Sequence, residues 1–102
     1  MSRYRLDKAT PVAVIGAGSM GAGIAQLAAQ SGHPVRLFDI QPGAADRALG
    51  RIDADLATSL QRARIDAAER AAIRARIVAV GDFAALAGCG LAVEAIFENL
   101  EA

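Results

Sequence analysis

The amino-acid sequence predicts an α/β fold built on a parallel sheet, and three observations support this prediction. Four short apolar runs are separated by turns and by longer segments of helical periodicity. The composition is 54% hydrophobic but only 4% aromatic, which favours a core of Ala, Val, Ile and Leu such as Ala-rich helices form on a buried parallel sheet. A glycine-rich turn joins the first apolar run to the first helical segment. The length of 102 residues suits one small domain or part of one.

Charge, hydropathy and cysteine content exclude several function classes. Eleven basic and eleven acidic side chains cancel, so we expect neither nucleic acid nor a membrane surface as a partner. No apolar run approaches the ~20 residues of a membrane span, and residues 1–10 lack the apolar stretch of a signal peptide, so we expect a cytoplasmic protein. Cys89 is the single cysteine, which excludes an internal disulfide and a thiolate zinc site, and we expect no metal.

The first three predicted elements form a β-α-β unit. The apolar run Pro11–Ile15 predicts a buried strand. Residues 20–30 predict a helix that a Ser-Gly pair ends. The predicted apolar stripe of this helix is Met20, Ile24, Leu27 and Ala28. The second strand spans residues 34–39, and its first residue is a proline, which can begin a strand. Two strands joined by one helix within so short a segment predict a right-handed parallel crossover.

A helical hairpin is predicted between the second and third strands. Residues 40–76 separate these strands, whereas one crossover helix needs only about a dozen residues. Apolar residues at near-helical spacing predict a long helix over 44–62; they are Ala48, Ile52, Leu56 and Leu60. Asp66 and Glu69 predict the capping box of a second helix that ends near Arg76. This charged hairpin is either a solvated amphipathic pair or a ligand-contacting element.

The last third of the chain predicts two more strands. Ile77–Val80 is the third strand, and a Gly-Asp turn leads into a short helical piece at 83–87. Leu91–Ile96 is the fourth strand, and residues 98–102 begin another helix. We therefore expect residues 1–102 to be the N-terminal part of a truncated domain.

The glycine-rich turn carries the strongest functional signal. Gly16, Gly18 and Gly21 match the pattern G-x-G-x-x-G between a strand and a helix, and Asp39 ends the next strand. This context predicts a Rossmann-type dinucleotide-binding fold, a three-layer parallel sheet with the helical hairpin inserted between strands 2 and 3. The structural alternative is a glycine-rich connector beside a solvated aspartate.

Each residue type in this turn has a predicted task. Gly16 permits the tight turn, Gly18 lets the backbone approach a pyrophosphate, and Gly21 lets the helix pack closely on the sheet. The positive end of the helix then faces the phosphates. The predicted turn is completed by Ala17, Ser19 and Met20.

Asp39 predicts the cofactor. Its carboxylate can accept hydrogen bonds from the ribose hydroxyls of adenosine and repels a 2′-phosphate. Ile40 and Gln41, which follow it, offer no cation in exchange. We therefore expect NAD in preference to NADP.

The sequence resembles the N-terminal domain of the L-3-hydroxyacyl-CoA dehydrogenases. The resemblance rests on VAVIGAGSMGAGIAQLAAQSGHPVRLFDI, the charged hairpin and LAVEAIFENLE, and it extends from about Thr10 to Glu101. It implies that residues 16–21 and Asp39 hold the adenine half of NAD. It also implies cofactor contacts at Ala95 and Ile96, the last residues of the predicted fourth strand, and at Glu98, just after it. Without the resemblance, the preferred interpretation of Glu98 is an ordinary acidic residue at a helix N-terminus, which the helix dipole stabilises.

The resemblance also implies a reaction, the reversible transfer of hydride between NAD and C3 of a 3-hydroxyacyl-CoA. In the family, a hydroxyl and a lysine on the first hairpin helix contact coenzyme A; the matching residues here are Asp55 and Arg62, and Arg62 alone keeps a suitable group. The family's catalytic histidine follows the fourth strand, and His33 belongs to another motif. We therefore expect no catalytic residue in this chain, which is inactive alone, and a parent that forms a homodimer through its missing C-terminal domain.

Two other functions are compatible with the same residues. One is the opening domain of another β-hydroxyacid dehydrogenase or of an L-gulonate-type dehydrogenase. The other is a non-catalytic NAD-binding module, for which this part of a Rossmann fold suffices.

Overall fold

The computed structural model describes residues 10–94, and four strands and three α-helices lie within them. The strands are β1 (Val12–Ile15), β2 (Val35–Phe38), β3 (Ile77–Ala79) and β4 (Leu91–Glu94). The helices are α1 (Ser19–Gln30), α2 (Ala44–Gln61) and α3 (Ala67–Ala75), and a 3₁₀ helix spans Phe83–Leu86. The predicted elements that fall within residues 10–94 are confirmed in type and order, whereas the predicted helix start at residues 98–102 lies outside the described residues. Residues 95 and 96 of the predicted fourth strand lie outside the described residues.

The four strands form one parallel sheet in the order β3-β2-β1-β4. Val12 at the start of β1 pairs with Val35 of β2 and Leu91 of β4, so the strands are in step. Because parallel strands end at the same edge of a sheet, the turn after β1 and the aspartate after β2 lie side by side at the carboxyl edge. The predicted parallel β-α-β unit is confirmed.

The three α-helices cover one face of the sheet. The inward side chains of the central strands, Val14 and Leu37, are fully buried among residues of α1 and α2. Neighbouring strand residues point to opposite faces, and Arg36 accordingly donates to the carbonyl oxygens of Ala85 and Ala87 at 3.1 Å each. The 3₁₀ helix therefore lies on the other face. Within residues 10–94, the 3₁₀ helix is the helical element on this second face of the sheet, which is the third layer of the predicted fold.

The buried stripe of α1 differs from the predicted one. The buried residues of α1 are Gly21, Ala22, Ala25 and Ala29. Ile24 and Ala28 pack at the edge of the core, whereas Met20 is 56% exposed and Leu27 is 65% exposed. The prediction placed the largest apolar side chains inward. It was wrong for Met20 and Leu27, because a helix that lies close to a parallel sheet presents its smallest side chains to it, and Leu27 therefore faces outward.

The helical hairpin between β2 and β3 is confirmed. The buried residues of α2 are Ala44, Ala48, Ile52 and Leu56, and α3 contributes Ile73. The Asp66 carboxylate accepts from the Glu69 N–H at 2.7 Å, and the Glu69 carboxylate accepts from the Asp66 N–H at 3.0 Å, which is the predicted capping box. Arg74 pairs with Asp53 of α2 at 2.7 Å. The hairpin thus packs its apolar side on the domain core, as an amphipathic pair does, and most of its remaining side chains are exposed.

Hydropathy gives one further result for the described part of the chain. None of the helices within residues 10–94 combines the length and the apolar character needed to cross a membrane.

Candidate functional site

The turn between β1 and α1 has the backbone that its first glycine predicts. Gly16 has a φ of +102°, in the left-handed region that favours glycine. Its N–H donates to the carbonyl oxygen of Phe38 at 2.7 Å, which ties the end of β1 to the end of β2. The chain then reaches Gly18, the N-cap of α1, two residues later. The prediction that Gly16 permits a tight turn out of the strand is confirmed.

The first turn of α1 offers a set of free backbone donors. Gly18 supplies no side-chain cap, and the first turn contains no acidic residue. Ala22 is the first residue whose N–H is bonded, to the carbonyl oxygen of Gly18 at 2.9 Å. Within residues 10–94 the N–H groups of Ser19, Met20 and Gly21 have no acceptor, as is usual for the start of a helix. Such donors, together with the positive end of the helix dipole, suit an anion such as a pyrophosphate.

Gly18 is not required by packing inside the protein. A Cβ built on it meets no atom within 4 Å, and its φ of −73° is open to any residue. The absence of a side chain there leaves space in front of the helix, where a ligand's phosphate can reach the backbone. Gly21, by contrast, is buried on the sheet side of α1, which agrees with its predicted packing task.

Asp39 lies at the carboxyl end of β2 and is tied to the turn. Its Oδ2 accepts from the Ala17 N–H at 2.7 Å, and its Oδ1 accepts from the Gln41 N–H at 2.8 Å. These two bonds, with a smaller contribution from the Arg47 guanidinium, lower the pKa of Asp39 from its ordinary value of 3.8, against the opposing effect of partial burial. The carboxylate is therefore ionised at neutral pH. Each oxygen has a second lone pair that can accept from a ribose hydroxyl.

Two arginines of α2 belong to this corner, and the sequence analysis missed both. Arg47 lies close enough to Asp39 to lower its pKa. Arg51, one helical turn later, donates from Nη2 to the carbonyl oxygen of Ala17 at 2.9 Å. The predicted lack of a cation at this corner rested on Ile40 and Gln41, the two residues after Asp39. The available signal was the i, i+4 spacing of two arginines in the helix that follows β2, beside the buried Ala48.

Of the other residues predicted to contact the cofactor or the substrate, only two lie beside the glycine turn within the described residues. Ser19 and Met20 are exposed at the start of α1, beside the turn. Arg62 is exposed at the C-cap of α2, and eleven residues of helix, about 16 Å, separate it from Arg51. The structure thus does not bring Arg62 to the glycine turn. Ala95, Ile96 and Glu98 lie outside the described residues, so their predicted contacts stay predictions.

The histidine and the cysteine of the chain both lie before a strand, away from the glycine turn. His33 precedes β2, at the edge of the sheet opposite the glycine turn, and its Nδ1 lies 3.1 Å from the carbonyl oxygen of Thr10. Cys89 is a half-buried free thiol before β4. Within residues 10–94, no group of three His, Cys, Asp or Glu side chains could hold a metal ion. The chemistry of the site is therefore that of backbone donors, one carboxylate and two arginines.

Comparison with known proteins gives a consistent result. A family model described as "3-hydroxyacyl-CoA dehydrogenase, NAD binding domain" matches residues 11–102. The 3-hydroxyadipyl-CoA dehydrogenase of Escherichia coli is 44% identical over 90 residues, which cover 88% of this chain and 19% of that protein. A probable 3-hydroxybutyryl-CoA dehydrogenase of Bacillus subtilis is 35% identical over 91 residues, which cover 89% of this chain and 32% of that protein.

Solved structures agree with these sequence relatives. The crystal structure of 3-hydroxybutyryl-CoA dehydrogenase from Escherichia coli superposes with a TM-score of 0.84 at 43% identity, over 94% of this chain and 20% of that one. The (S)-3-hydroxybutyryl-CoA dehydrogenase from Ralstonia eutropha superposes with a TM-score of 0.83 at 29% identity, over 91% of this chain and 33% of that one. In each case the chain spans a third or less of the relative's length.

Proposed function

Because this chain belongs to the 3-hydroxyacyl-CoA dehydrogenase NAD-binding domains, we propose that it holds NAD for hydride transfer to and from C3 of a 3-hydroxyacyl-CoA. The observation that carries the proposal is the position of Asp39, whose carboxylate accepts from the Ala17 N–H of the glycine turn at 2.7 Å. This bond supports the proposal because it holds the carboxylate after β2, the proposed ribose contact, beside the start of α1, where we propose that the pyrophosphate binds. A dinucleotide needs both at once.

The described residues fit the adenosine half of the cofactor. The N–H groups of Ser19 and Met20, which have no acceptor within residues 10–94, directly follow Gly18, and they would hold the pyrophosphate. Asp39, ionised and fixed by two backbone donors, would accept from the adenosine ribose. We propose NAD in preference to NADP, because the same charge repels a 2′-phosphate. When bound, the nicotinamide ring accepts or donates the hydride.

Oxidation of a 3-hydroxyl group also needs an acceptor for the hydroxyl proton. The one histidine of the chain, His33, lies at the opposite edge of the sheet from the glycine turn. We propose that the general base comes from sequence outside these 102 residues, and that Ala95, Ile96 and Glu98 lie on the nicotinamide side. The exposed Arg62 at the end of α2 is kept as a proposed contact of coenzyme A.

Two measurements test this proposal. Isothermal titration calorimetry of the full chain should show saturable binding of NADH and of ADP-ribose. Absence of both would refute the cofactor assignment. In the complete gene product that carries this chain, NAD-dependent oxidation of 3-hydroxybutyryl-CoA should be observed, whereas oxidation of L-gulonate alone would assign the parent to another class of dehydrogenase.

A further inference from the structure

The peptide groups on both sides of Ala17 are held by side chains from two different elements. Its N–H donates to Asp39, which follows β2, at 2.7 Å, and its carbonyl oxygen accepts from Arg51 of α2 at 2.9 Å. Ala17 itself is 2% exposed. The glycine turn is therefore not an independent loop, because its second residue is fixed from β2 and from α2 at the same time.

The bond from Arg51 also sets the direction of the next amide. The Ala17–Gly18 peptide is planar and trans, so its carbonyl and its N–H point in opposite directions. When Arg51 holds the carbonyl oxygen of Ala17, the N–H of Gly18 is turned away from α2. Within residues 10–94 this N–H has no acceptor. A Cβ on Gly18 would meet no protein atom within 4 Å, so the space around this residue is open to a ligand.

Among the described residues 10–94, no carboxylate pairs with Arg51 and explains its position. The ion pair found within residues 10–94 joins Arg74 to Asp53. The neighbouring acid of the same helix, Asp55, accepts instead from Gln26 of α1 at 2.6 Å. The Arg51 side chain therefore crosses from α2 to the turn and lines the groove beside Ser19. A guanidinium has five N–H donors, and a single bond, to Ala17, is formed by Arg51 within the described residues.

We infer that Arg51 is a positioning residue for the pyrophosphate of the dinucleotide, acting through the Ala17–Gly18 peptide whose carbonyl it holds. Arg51 keeps the Gly18 amide directed at the ligand before binding. This inference rests on the proposed function, since it presumes a dinucleotide at the turn. It extends the site from the glycine motif and Asp39 to a residue of α2 that no glycine pattern includes.

The test compares ligands with and without the pyrophosphate on the full chain. Arg51→Met keeps most of the side-chain volume but removes the donor. We expect it to weaken binding of ADP-ribose and of NADH about tenfold, the loss typical of a hydrogen bond to a charged group. Binding of adenosine, followed by NMR titration, should be unchanged, since adenosine does not use the turn. Arg51→Lys retains a cationic donor and should recover part of the affinity for ADP-ribose.

Arg64→Met is the matched control. Arg64 is an exposed arginine beyond the end of α2, so its removal changes the net charge equally, and affinity for ADP-ribose should stay at the wild-type value. Wild-type affinity in Arg51→Met, an equal loss for adenosine, or an equal loss in Arg64→Met would each overturn the inference. Absence of ADP-ribose binding to the wild-type chain would instead refute the proposed function.

Discussion

At the residue scale, Asp39 has two tasks. In the structure its two oxygens accept from the N–H groups of Ala17 and Gln41, and so they join the glycine turn to the end of β2. In the proposed complex the remaining lone pairs accept from the ribose. The first task is structural and the second is the proposed source of cofactor selectivity, so the two can be separated by choosing what is measured.

Asp39→Ala tests the selectivity. The substitution removes the negative charge that opposes a 2′-phosphate and leaves Arg47 and Arg51 at the corner. We expect wild type to bind NADH more tightly than NADPH by calorimetry, and the variant to lose this preference while binding both less tightly. Asp46→Ala removes an exposed carboxylate from the first turn of α2 and should keep the preference. Equal affinities in the wild type would contradict the assignment of Asp39.

Asp39→Asn tests the structural task through pH. The pKa of Asp39 is lowered below 3.8 in the folded protein, chiefly by the bond from the Ala17 N–H. The ionised carboxylate therefore stabilises the fold above that pH, and this contribution is lost as the pH falls through the lowered pKa. In urea titrations we expect the wild type to exceed the variant in free energy of unfolding by a constant amount near neutral pH. The difference should shrink on acidification; a difference independent of pH would disprove the linkage.

Gly18→Val tests the close approach of a ligand to the turn. A Cβ at this position meets no atom within 4 Å, and the backbone is in an extended conformation, so the fold should tolerate the change. Binding of NADH should be abolished, because the side chain occupies the space in front of the phosphate-binding amides. The control is Gly50→Val on α2, where a Cβ likewise meets no atom within 4 Å; this variant should bind normally. Retained affinity in Gly18→Val would show that the turn is only a connector.

At the element scale, α1 shows how a helix chooses its buried face. The face toward the sheet is made of Gly and Ala, and Leu27 remains largely exposed. The reason is distance, because close contact between helix and sheet leaves room only for small side chains, and these lose little conformational entropy on burial. Size and hydrophobicity alone therefore gave the wrong orientation for this helix.

A pair of substitutions tests this orientation. Ala25 is 0% exposed, so Ala25→Leu should overpack the interface and lower the free energy of unfolding by about 1–3 kcal/mol. Leu27→Ala changes an exposed residue and should alter it by about 0.5 kcal/mol or less. Both values are obtained from urea unfolding followed by circular dichroism. The reverse order of the two losses would mean that the helix is rotated from the orientation described here.

The sequence predicted the hairpin of α2 and α3 more accurately than it predicted the buried face of α1. The helical spacing of Ala48, Ile52, Leu56 and Leu60 predicted α2, and the first three of these residues are fully buried. The Asp66 cap was predicted from two residue types at fixed spacing and is present with both hydrogen bonds. Local chemistry determines such a cap, so the sequence suffices to locate it.

At the scale of the whole molecule, the parallel sheet makes one site out of distant residues. Gly16 and Asp39 are separated by a helix in the sequence, yet they follow neighbouring strands that end at the same edge. This arrangement could be predicted, because a strand, a short helix and a second strand have one common way to pack. The glycine turn, the aspartate and the order of elements therefore followed from residue type and spacing alone.

Tertiary structure decided which residues of the helices reach the site. Leu27 faces outward and Arg51 reaches the carbonyl oxygen of Ala17, 34 positions away in the chain. Neither fact follows from periodicity, which gives the spacing of a helical face but not its rotation or the partner that it meets. The sequence by itself thus determined the strands, the capped hairpin and the cofactor motif, since these depend on local conformation. The rotation of α1 and the contact of Arg51 depend on how separate elements pack together, and only the folded chain establishes that.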